Sequence, residues 1–135
     1  MKSILFVCVG NICRSPMAAA LVRERLGDHV AGVESAGIFG LSGERAASPA
    51  REVARENGLE IDDHLARHVR EIDLDRFDLL VALTPSIGRV LRDEYGVDEG
   101  RIVEMNVEDP YGADVDTYRR CFEEIESQID LDSLR

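Results

Sequence analysis

The chain has 135 residues and a formal net charge of −11 at pH 7, with 44% hydrophobic and 32% charged residues. This length predicts one domain over residues 1–135, and the acidic charge argues against nucleic-acid or anionic-membrane partners, which need clustered positive surface. Three cysteines without framework spacing, and an apolar N-terminal run too short for a signal peptide, favour a reducing compartment. We therefore expect a cytoplasmic protein.

Strand-like and helix-like segments alternate along the first part of the chain. Residues 3–8 form a continuous β-favouring run, typical of a strand covered on both faces. A helix over 16–27 follows, with Ser15 as its cap. A weaker strand over 29–35 and an exposed glycine-rich loop over 37–43 come next.

The second part continues the alternation. The pattern predicts helices over 48–57, 85–95 and 117–129, and strands over 78–83 and 101–105. Connections too long for hairpins indicate an α/β fold. We expect a single three-layer domain with a four-stranded parallel sheet in the order 2-1-3-4 and helices on both faces. Ligands of such folds bind beyond the carboxyl ends of the strands.

The segment after the first strand carries a thiol and a guanidinium six positions apart, at Cys8 and Arg14. Loop amides and a helix N-terminus there point donors at one spot, so they predict a phosphate-binding loop after strand 1. Gly10 is expected to allow the sharp turn, and Arg14 to hold two phosphate oxygens. The predicted phosphate-binding residues are Val9, Gly10, Asn11, Ile12, Cys13, Arg14 and Ser15.

Cys8 is the predicted nucleophile of this loop. The donors that hold phosphate also stabilise a thiolate, so we expect Cys8 to be ionised at neutral pH. A thiolate beneath a bound phosphorus atom can attack it in line, with Arg14 and the loop amides stabilising the equatorial oxygens. Ser15 could donate its hydroxyl to the thiolate. From the residues alone, a structural cysteine with a coincidental arginine is the alternative.

The run Cys-Val-Gly-Asn-Ile-Cys-Arg-Ser-Pro at 8–16 resembles the signature loop of the low-molecular-weight protein-tyrosine phosphatase family, Cys-x-Gly-Asn-x-Cys-Arg-Ser-Pro. The resemblance continues through 35–37, the strand at 77–83 and the Asp-Pro-Tyr turn at 109–111, and it covers essentially the whole chain. It implies a cysteine-dependent protein phosphatase without cofactor or metal.

The resemblance also implies roles for individual residues. Cys8 is the nucleophile, Arg14 the phosphate clamp, Asn11 the residue that braces the loop, and Ser15 the partner of the thiolate. Asp109 is the general acid, which protonates the leaving oxygen or nitrogen and then activates water. Taken alone, an aspartate before a proline in a loop is ordinary turn chemistry.

Cys13 lies five residues from Cys8 across the curled loop, close enough in principle for a disulfide. In the family the equivalent pair forms a reversible bond that shields the nucleophile from over-oxidation, which implies a redox role for Cys13. A small buried side chain is the alternative. Cys121, on the apolar face of the closing helix, is expected to belong to the core.

The phosphorylated residue is less clearly specified. The predicted substrate-pocket residues are Ile12, Phe39, Leu41 and Tyr111. Tyrosine-directed members of the family usually carry a large aromatic residue near the position of Leu41. The sequence as a whole resembles the protein-arginine phosphatase branch more closely. That branch, however, carries a threonine at the position of Ile12. The hydrocarbon side chain of Ile12 packs better against an aromatic ring than against a polar phosphoguanidinium group. We therefore favour phosphotyrosine over phosphoarginine as the hydrolysed group. We expect the substrates to be phosphorylated proteins and the enzyme to be a monomer or weak dimer.

Three other classes of protein fit the sequence less well. Arsenate reductases share this fold and loop, but they resolve the oxidised thiol through cysteines after the third strand, and residues 84–88 contain none. No cysteine or histidine pair has zinc-binding spacing, and His64 and His68 are expected to be solvated. A silent phosphate-binding module is conceivable, although the presence of both Cys8 and Asp109 argues for turnover.

Overall fold

Four parallel strands form one sheet. The structure, a computed structural model, describes residues 1–39 and 41–135. The strands lie side by side in the order β2-β1-β3-β4, and every neighbouring pair is parallel. They are β1 (Ser3–Cys8), β2 (Gly32–Gly37), β3 (Leu79–Ala82) and β4 (Ile102–Glu104). The predicted parallel sheet and its strand order are confirmed.

Helices connect the strands and cover the sheet. They are α1 (Arg14–Leu26), α2 (Ser48–Glu56), α3 (Pro85–Asp93), α4 (Val115–Gln128) and α5 (Leu131–Leu134). Consecutive residues of β1, from Ile4 to Val7, are fully buried, so both faces of the central strand are covered, as predicted. In the described parts of the chain, no helix has the length and apolar character needed to cross a membrane.

The first helix begins earlier than the sequence indicated. It starts at Arg14, and its cap is Cys13, whose side chain makes no capping hydrogen bond. Ser15 is therefore the second helical residue, and the prediction that it caps the helix is wrong. Its hydroxyl lies 2.9 Å from Cys8 Sγ and accepts a hydrogen bond from Asn11 Nδ2 at 2.8 Å.

The second strand lies further along the chain than expected. Residues Gly27–His29 form a short 3-10 turn after α1, so β2 begins at Gly32 instead of His29. Gly37 was expected to open the exposed loop, but it is the buried last residue of β2 and pairs with Cys8. Gly40, which belongs to the expected loop, lies outside the described residues.

The carboxyl ends of the parallel strands meet at one edge of the sheet. β1 ends there at Cys8, and residues 8–15, called the Cys8 loop below, lead into α1. The segment after β4 carries Asp109 and leads into α4, whose cap Asp114 accepts the backbone N–H of Thr117 at 2.9 Å. The thiol and the predicted acid therefore reach the same edge, where α/β folds bind ligands.

Candidate active site

Cys8 lines a cavity of about 260 Å³ at this edge. Its Sγ accepts the backbone N–H of Asn11 at 3.3 Å and lies 2.9 Å from the Ser15 hydroxyl. The side chain is buried because it ends a core strand. An amide and a hydroxyl directed at one sulfur would stabilise negative charge on that atom.

Asn11 holds the Cys8 loop in its curled shape. Its φ of 60° lies in the left-handed region, which asparagine tolerates better than most residues, so the turn expected at Gly10 is made by Asn11. Its side-chain Nδ2 donates to the hydroxyls of Ser15 and Ser35 at 2.8 and 3.0 Å, and Oδ1 accepts the Arg67 backbone N–H at 2.9 Å. The fully buried side chain thus ties the loop to β2 and to the segment around residue 67.

Two glycines give the loop the space that it needs. A Cβ added to Gly10 would lie 2.5 Å from Leu41 Cδ1, so Gly10 lets Leu41 pack on the loop. A Cβ added to Gly37 would lie 2.4 Å from the Val9 carbonyl oxygen and 3.0 Å from the Asn11 nitrogen. Because these are backbone atoms, only glycine allows the end of β2 to pack directly against the Cys8 loop.

His64 is a site residue that sequence reasoning missed. Its Nε2 lies 2.6 Å from the carbonyl oxygen of Asn11, so the prediction that this histidine is solvated is wrong. Burial lowers its pKa, the hydrogen bond to Asn11 opposes that shift, and the nearby Arg23 and Arg67 lower the pKa further. Neutral His64 therefore donates Nε2–H to the loop. No motif marks this residue, since the contact spans 53 positions of the chain.

Arg14 is buried beside Cys8. Its Nη1 donates to the Val107 carbonyl at 2.9 Å, and its Nη2 lies 3.5 Å from Asp109 Oδ2. Among the described residues, its buried Nε has no hydrogen-bond partner. An unsatisfied buried donor of a charged group is costly, and a phosphate oxygen in the adjacent cavity would satisfy it.

The structure brings the predicted site residues together. The cavity is lined by Cys8, Val9, Gly10, Ile12, Cys13, Arg14, Phe39, Leu41, Asp109 and Tyr111. Asn11 and Ser15, the two other predicted residues, are fully buried and contact Cys8. Phe39 and Tyr111 are 69% and 68% exposed, which is unusual for side chains of this kind. The cavity therefore combines the polar groups of Cys8, Arg14 and Asp109 with apolar side chains.

The two other cysteines differ in their surroundings. Cys13 Sγ lies 3.2 Å from the hydroxyl of Tyr118, a buried residue of α4. Burial raises the pKa of the Cys13 thiol to about 11, although the Tyr118 hydrogen bond acts in the opposite direction. Burial raises the pKa of Cys121 to about 12, and its side chain belongs to the core, as expected.

A parallel α/β sheet whose first strand ends in a cysteine, wrapped by amides and paired with a buried arginine, defines a cysteine-dependent phosphatase. The family model for low molecular weight phosphotyrosine protein phosphatase matches residues 3–131. The chain belongs to this family, which confirms the resemblance seen in the sequence.

Relatives with two different named activities match the chain over most of its length. A protein of Staphylococcus haemolyticus named low molecular weight protein-tyrosine-phosphatase PtpB is 34% identical, covering 90% of this chain and 91% of the relative. A protein-arginine-phosphatase of Geobacillus stearothermophilus is 31% identical, covering 94% of this chain and 90% of the relative. The crystal structure of a low molecular weight protein tyrosine phosphatase from T. tengcongensis superimposes with a TM-score of 0.87, at 36% identity and 97% coverage of both chains.

Proposed function

We propose that this protein hydrolyses phosphotyrosine in phosphorylated proteins through a phosphate ester of the Cys8 thiol. One observation carries the proposal: Cys8, Asp109 and buried Arg14, whose Nε has no hydrogen-bond partner, line the same cavity in the described part of the chain. They supply a nucleophile, a cation for phosphate oxygens and a proton donor. These are the three groups that phosphate transfer to sulfur requires.

In the first step, the Cys8 sulfur attacks phosphorus on the side opposite the phenolic oxygen. The bond between phosphorus and that oxygen breaks, and the electron pair goes to the oxygen, which takes a proton from Asp109. The equatorial oxygens are held by Arg14 and by the amides of the Cys8 loop. The contact of Asp109 with Arg14 at 3.5 Å keeps the acid beside the clamp, while its 44% exposed side chain can reach the leaving group.

In the second step, Asp109 acts as a base. Its carboxylate removes a proton from water, and the oxygen of that water attacks phosphorus. The phosphorus–sulfur bond breaks, and its electron pair returns to Cys8 Sγ, where the Ser15 hydroxyl and the Asn11 N–H stabilise the charge. Inorganic phosphate leaves, and both side chains regain their starting protonation states.

The walls of the cavity favour a phosphorylated aromatic ring. Ile12 and Leu41 offer hydrocarbon, and exposed Phe39 and Tyr111 can sandwich a flat ring. A phosphoguanidinium group would need hydrogen-bond acceptors instead. Among the described residues lining the cavity, Asp109 is the one carboxylate, and it already faces Arg14. Phosphoarginine is the second candidate, because the relative from Geobacillus stearothermophilus is named a protein-arginine-phosphatase.

The proposal is tested by a paired assay of phosphotyrosyl and phosphoarginyl peptides of the same sequence. We expect higher kcat/KM on phosphotyrosine, loss of all turnover in Cys8→Ser, and a shift toward phosphoarginine in Ile12→Thr. Faster turnover of phosphoarginine by the wild type would establish the second candidate instead. If the wild type also failed to hydrolyse para-nitrophenyl phosphate, the protein would be a phosphate-binding module without turnover.

We further propose that Cys13 forms a reversible disulfide with Cys8 after oxidation of the nucleophile. All three cysteines are free, and Cys8 and Cys13 line the same cavity. Free thiols suit a reducing compartment, which supports the cytoplasm as the place of action.

The oligomeric state, a monomer or weak dimer, stays a prediction. The sedimentation coefficient of the purified protein is the direct measurement of it.

A further inference from the structure

The hydroxyl of Tyr118 is buried beside a weak partner. Tyr118 is 1% exposed, and within the described chain its hydroxyl hydrogen-bonds only Cys13 Sγ, at 3.2 Å. A thiol is a poor donor and a poor acceptor, so it compensates little for the loss of water around a phenol. A phenylalanine would fill the same space without that cost. The hydroxyl therefore contributes little to the stability of the core.

The two thiols at the cavity are each in contact with a different hydroxyl. Cys8 Sγ lies 2.9 Å from Ser15, and Cys13 Sγ lies 3.2 Å from Tyr118. Ser15 is the last residue of the Cys8 loop and lies in the first turn of α1, whereas Tyr118 reaches Cys13 from α4. Burial disfavours the thiolate of Cys13 by raising its pKa to about 11, and the bond from Tyr118 counteracts this effect. Of the groups around Cys13 that favour its thiolate, Tyr118 therefore has the largest effect, ahead of Arg14.

We propose that Tyr118 is a positioning residue that activates Cys13 as the resolving thiol for oxidised Cys8. This inference rests on the proposed role of Cys8 as the nucleophile. Hydrogen peroxide is the oxidant: the Cys8 thiolate attacks one peroxide oxygen, the O–O bond breaks, and Cys8 sulfenic acid and hydroxide form.

The resolving step then proceeds at Cys13. Its thiol gives up a proton, and the resulting thiolate accepts a hydrogen bond from the Tyr118 O–H. The thiolate attacks the Cys8 sulfur, the S–S bond forms, and the S–O bond of the sulfenic acid breaks. The departing hydroxide combines with the proton lost by Cys13 to give water, so Tyr118 ends the step unchanged.

The step competes with a second oxidation. Another peroxide molecule converts the sulfenic acid into sulfinic acid, which thiol reductants do not reverse. The ratio of disulfide to sulfinic acid therefore measures how fast Cys13 attacks. Because Tyr118 acts on the attacking sulfur only, it changes this ratio without changing the first oxidation of Cys8.

The test compares the wild type with Tyr118→Phe, using Tyr95→Phe as a matched control at a partly buried tyrosine outside the cavity. Reduced proteins are treated with hydrogen peroxide, and intact mass distinguishes disulfide from sulfinic acid. We expect the disulfide-to-sulfinic ratio to fall about fivefold in Tyr118→Phe, the effect of one neutral hydrogen bond, and to stay at the wild-type value in Tyr95→Phe. The activity recovered with dithiothreitol should fall in parallel.

Two further readouts separate activation from packing. Disulfide formation should depend on the Cys13 thiolate, so its pH profile should move to higher pH in Tyr118→Phe, while the unfolding midpoint stays equal or rises. Incorporation of 3-fluorotyrosine into the wild-type chain, which makes the phenol a stronger donor, should move the ratio and the profile in the opposite direction. The fluorinated protein keeps the inference testable even if Tyr118→Phe does not fold.

An unchanged or higher disulfide fraction in Tyr118→Phe, with an unmoved pH profile, would overturn the inference. If Cys8→Ser is inactive in that case, the proposed function stands and only the role of Tyr118 is lost. If Cys8→Ser still hydrolyses phosphotyrosine, the proposed function and the inference fall together.

Discussion

The imidazole Nε2 of His64 donates to the carbonyl oxygen of Asn11 at 2.6 Å. This bond fixes the left-handed turn whose N–H contacts Cys8 Sγ. We predict that His64→Ala lowers kcat/KM for para-nitrophenyl phosphate about fivefold, the value of one lost hydrogen bond. His29→Ala, at an exposed histidine, is the control. Equal effects of the two substitutions would contradict a role for His64 in positioning the loop.

The same histidine makes stability depend on pH. Burial lowers the pKa of folded His64 below its ordinary value of 6.5, so the unfolded chain binds the proton first as the pH falls. Between the folded and unfolded pKa values the unfolded state holds more protons, and the free energy of unfolding decreases with decreasing pH. We predict a smaller decrease between pH 7 and pH 5 in His64→Gln, measured by urea unfolding. An identical decrease in both proteins would show that His64 does not contribute.

Asn11 combines a backbone requirement with side-chain hydrogen bonds, and two substitutions separate them. Asn11→Gly keeps the left-handed φ of 60° but loses the bonds to Ser15, Ser35 and Arg67. Asn11→Ala loses the same bonds and, unlike Asn11→Gly, keeps a Cβ that resists this conformation, at about 1–2 kcal/mol. We predict that both the free energy of unfolding and kcat decrease in the order wild type, Asn11→Gly, Asn11→Ala. Two variants of equal stability would mean that the backbone conformation contributes nothing.

The contact between β2 and the Cys8 loop can be tested at Gly37. A methyl group there would lie 2.4 Å from the Val9 carbonyl oxygen, so Gly37→Ala should displace the loop, reduce turnover and destabilise the fold by about 1–3 kcal/mol. Gly32→Ala, in the same strand, is the matched control, because a Cβ there meets nothing within 4 Å among the described residues. The control should be neutral or slightly stabilising. Thermal unfolding and para-nitrophenyl phosphate hydrolysis give the two readouts.

Asp109 should affect chemistry more than binding. We predict that Asp109→Ala lowers kcat on phosphotyrosyl peptides by roughly 10²–10⁴, the usual value of a general acid, while the inhibition constant of vanadate changes little. The loss should be smaller for para-nitrophenyl phosphate, whose leaving group departs readily without a proton. The partly exposed carboxylate makes a large change in stability unexpected. Unaltered kcat on the peptides would remove Asp109 from the mechanism.

Contacts between neighbours along the chain are the ones that the sequence could predict. The Cys8 loop is one uninterrupted segment between a strand and a helix, so its thiol, amides and arginine can be grouped from the residue pattern alone. Alternating strands and helices also predict the parallel sheet, because connections of that length exclude hairpins. Asp109 is predicted by its position after the last strand together with the family resemblance.

Contacts between distant residues could not be predicted in the same way. His64, Tyr118 and Val107 touch the Cys8 loop from positions that no motif marks. The cap prediction for Ser15 fails because a serine before a proline usually caps a helix, whereas here its hydroxyl contacts sulfur. The sequence favours Gly10 for the turn because glycine adopts left-handed conformations easily, although Asn11, held by three side-chain hydrogen bonds, adopts it instead.

The anchors of the Cys8 loop also bear on how the chain matures during synthesis. Asn11 is fastened by residues that emerge from the ribosome later, at 35, 64 and 67, and Arg14 by Val107. A nascent chain that ends before residue 107 carries Cys8 without the Val107 carbonyl that binds Arg14, and without Asp109, the proposed acid. The proposed mechanism therefore requires the nascent chain to extend beyond residue 109, and products truncated before that point would release no phosphate.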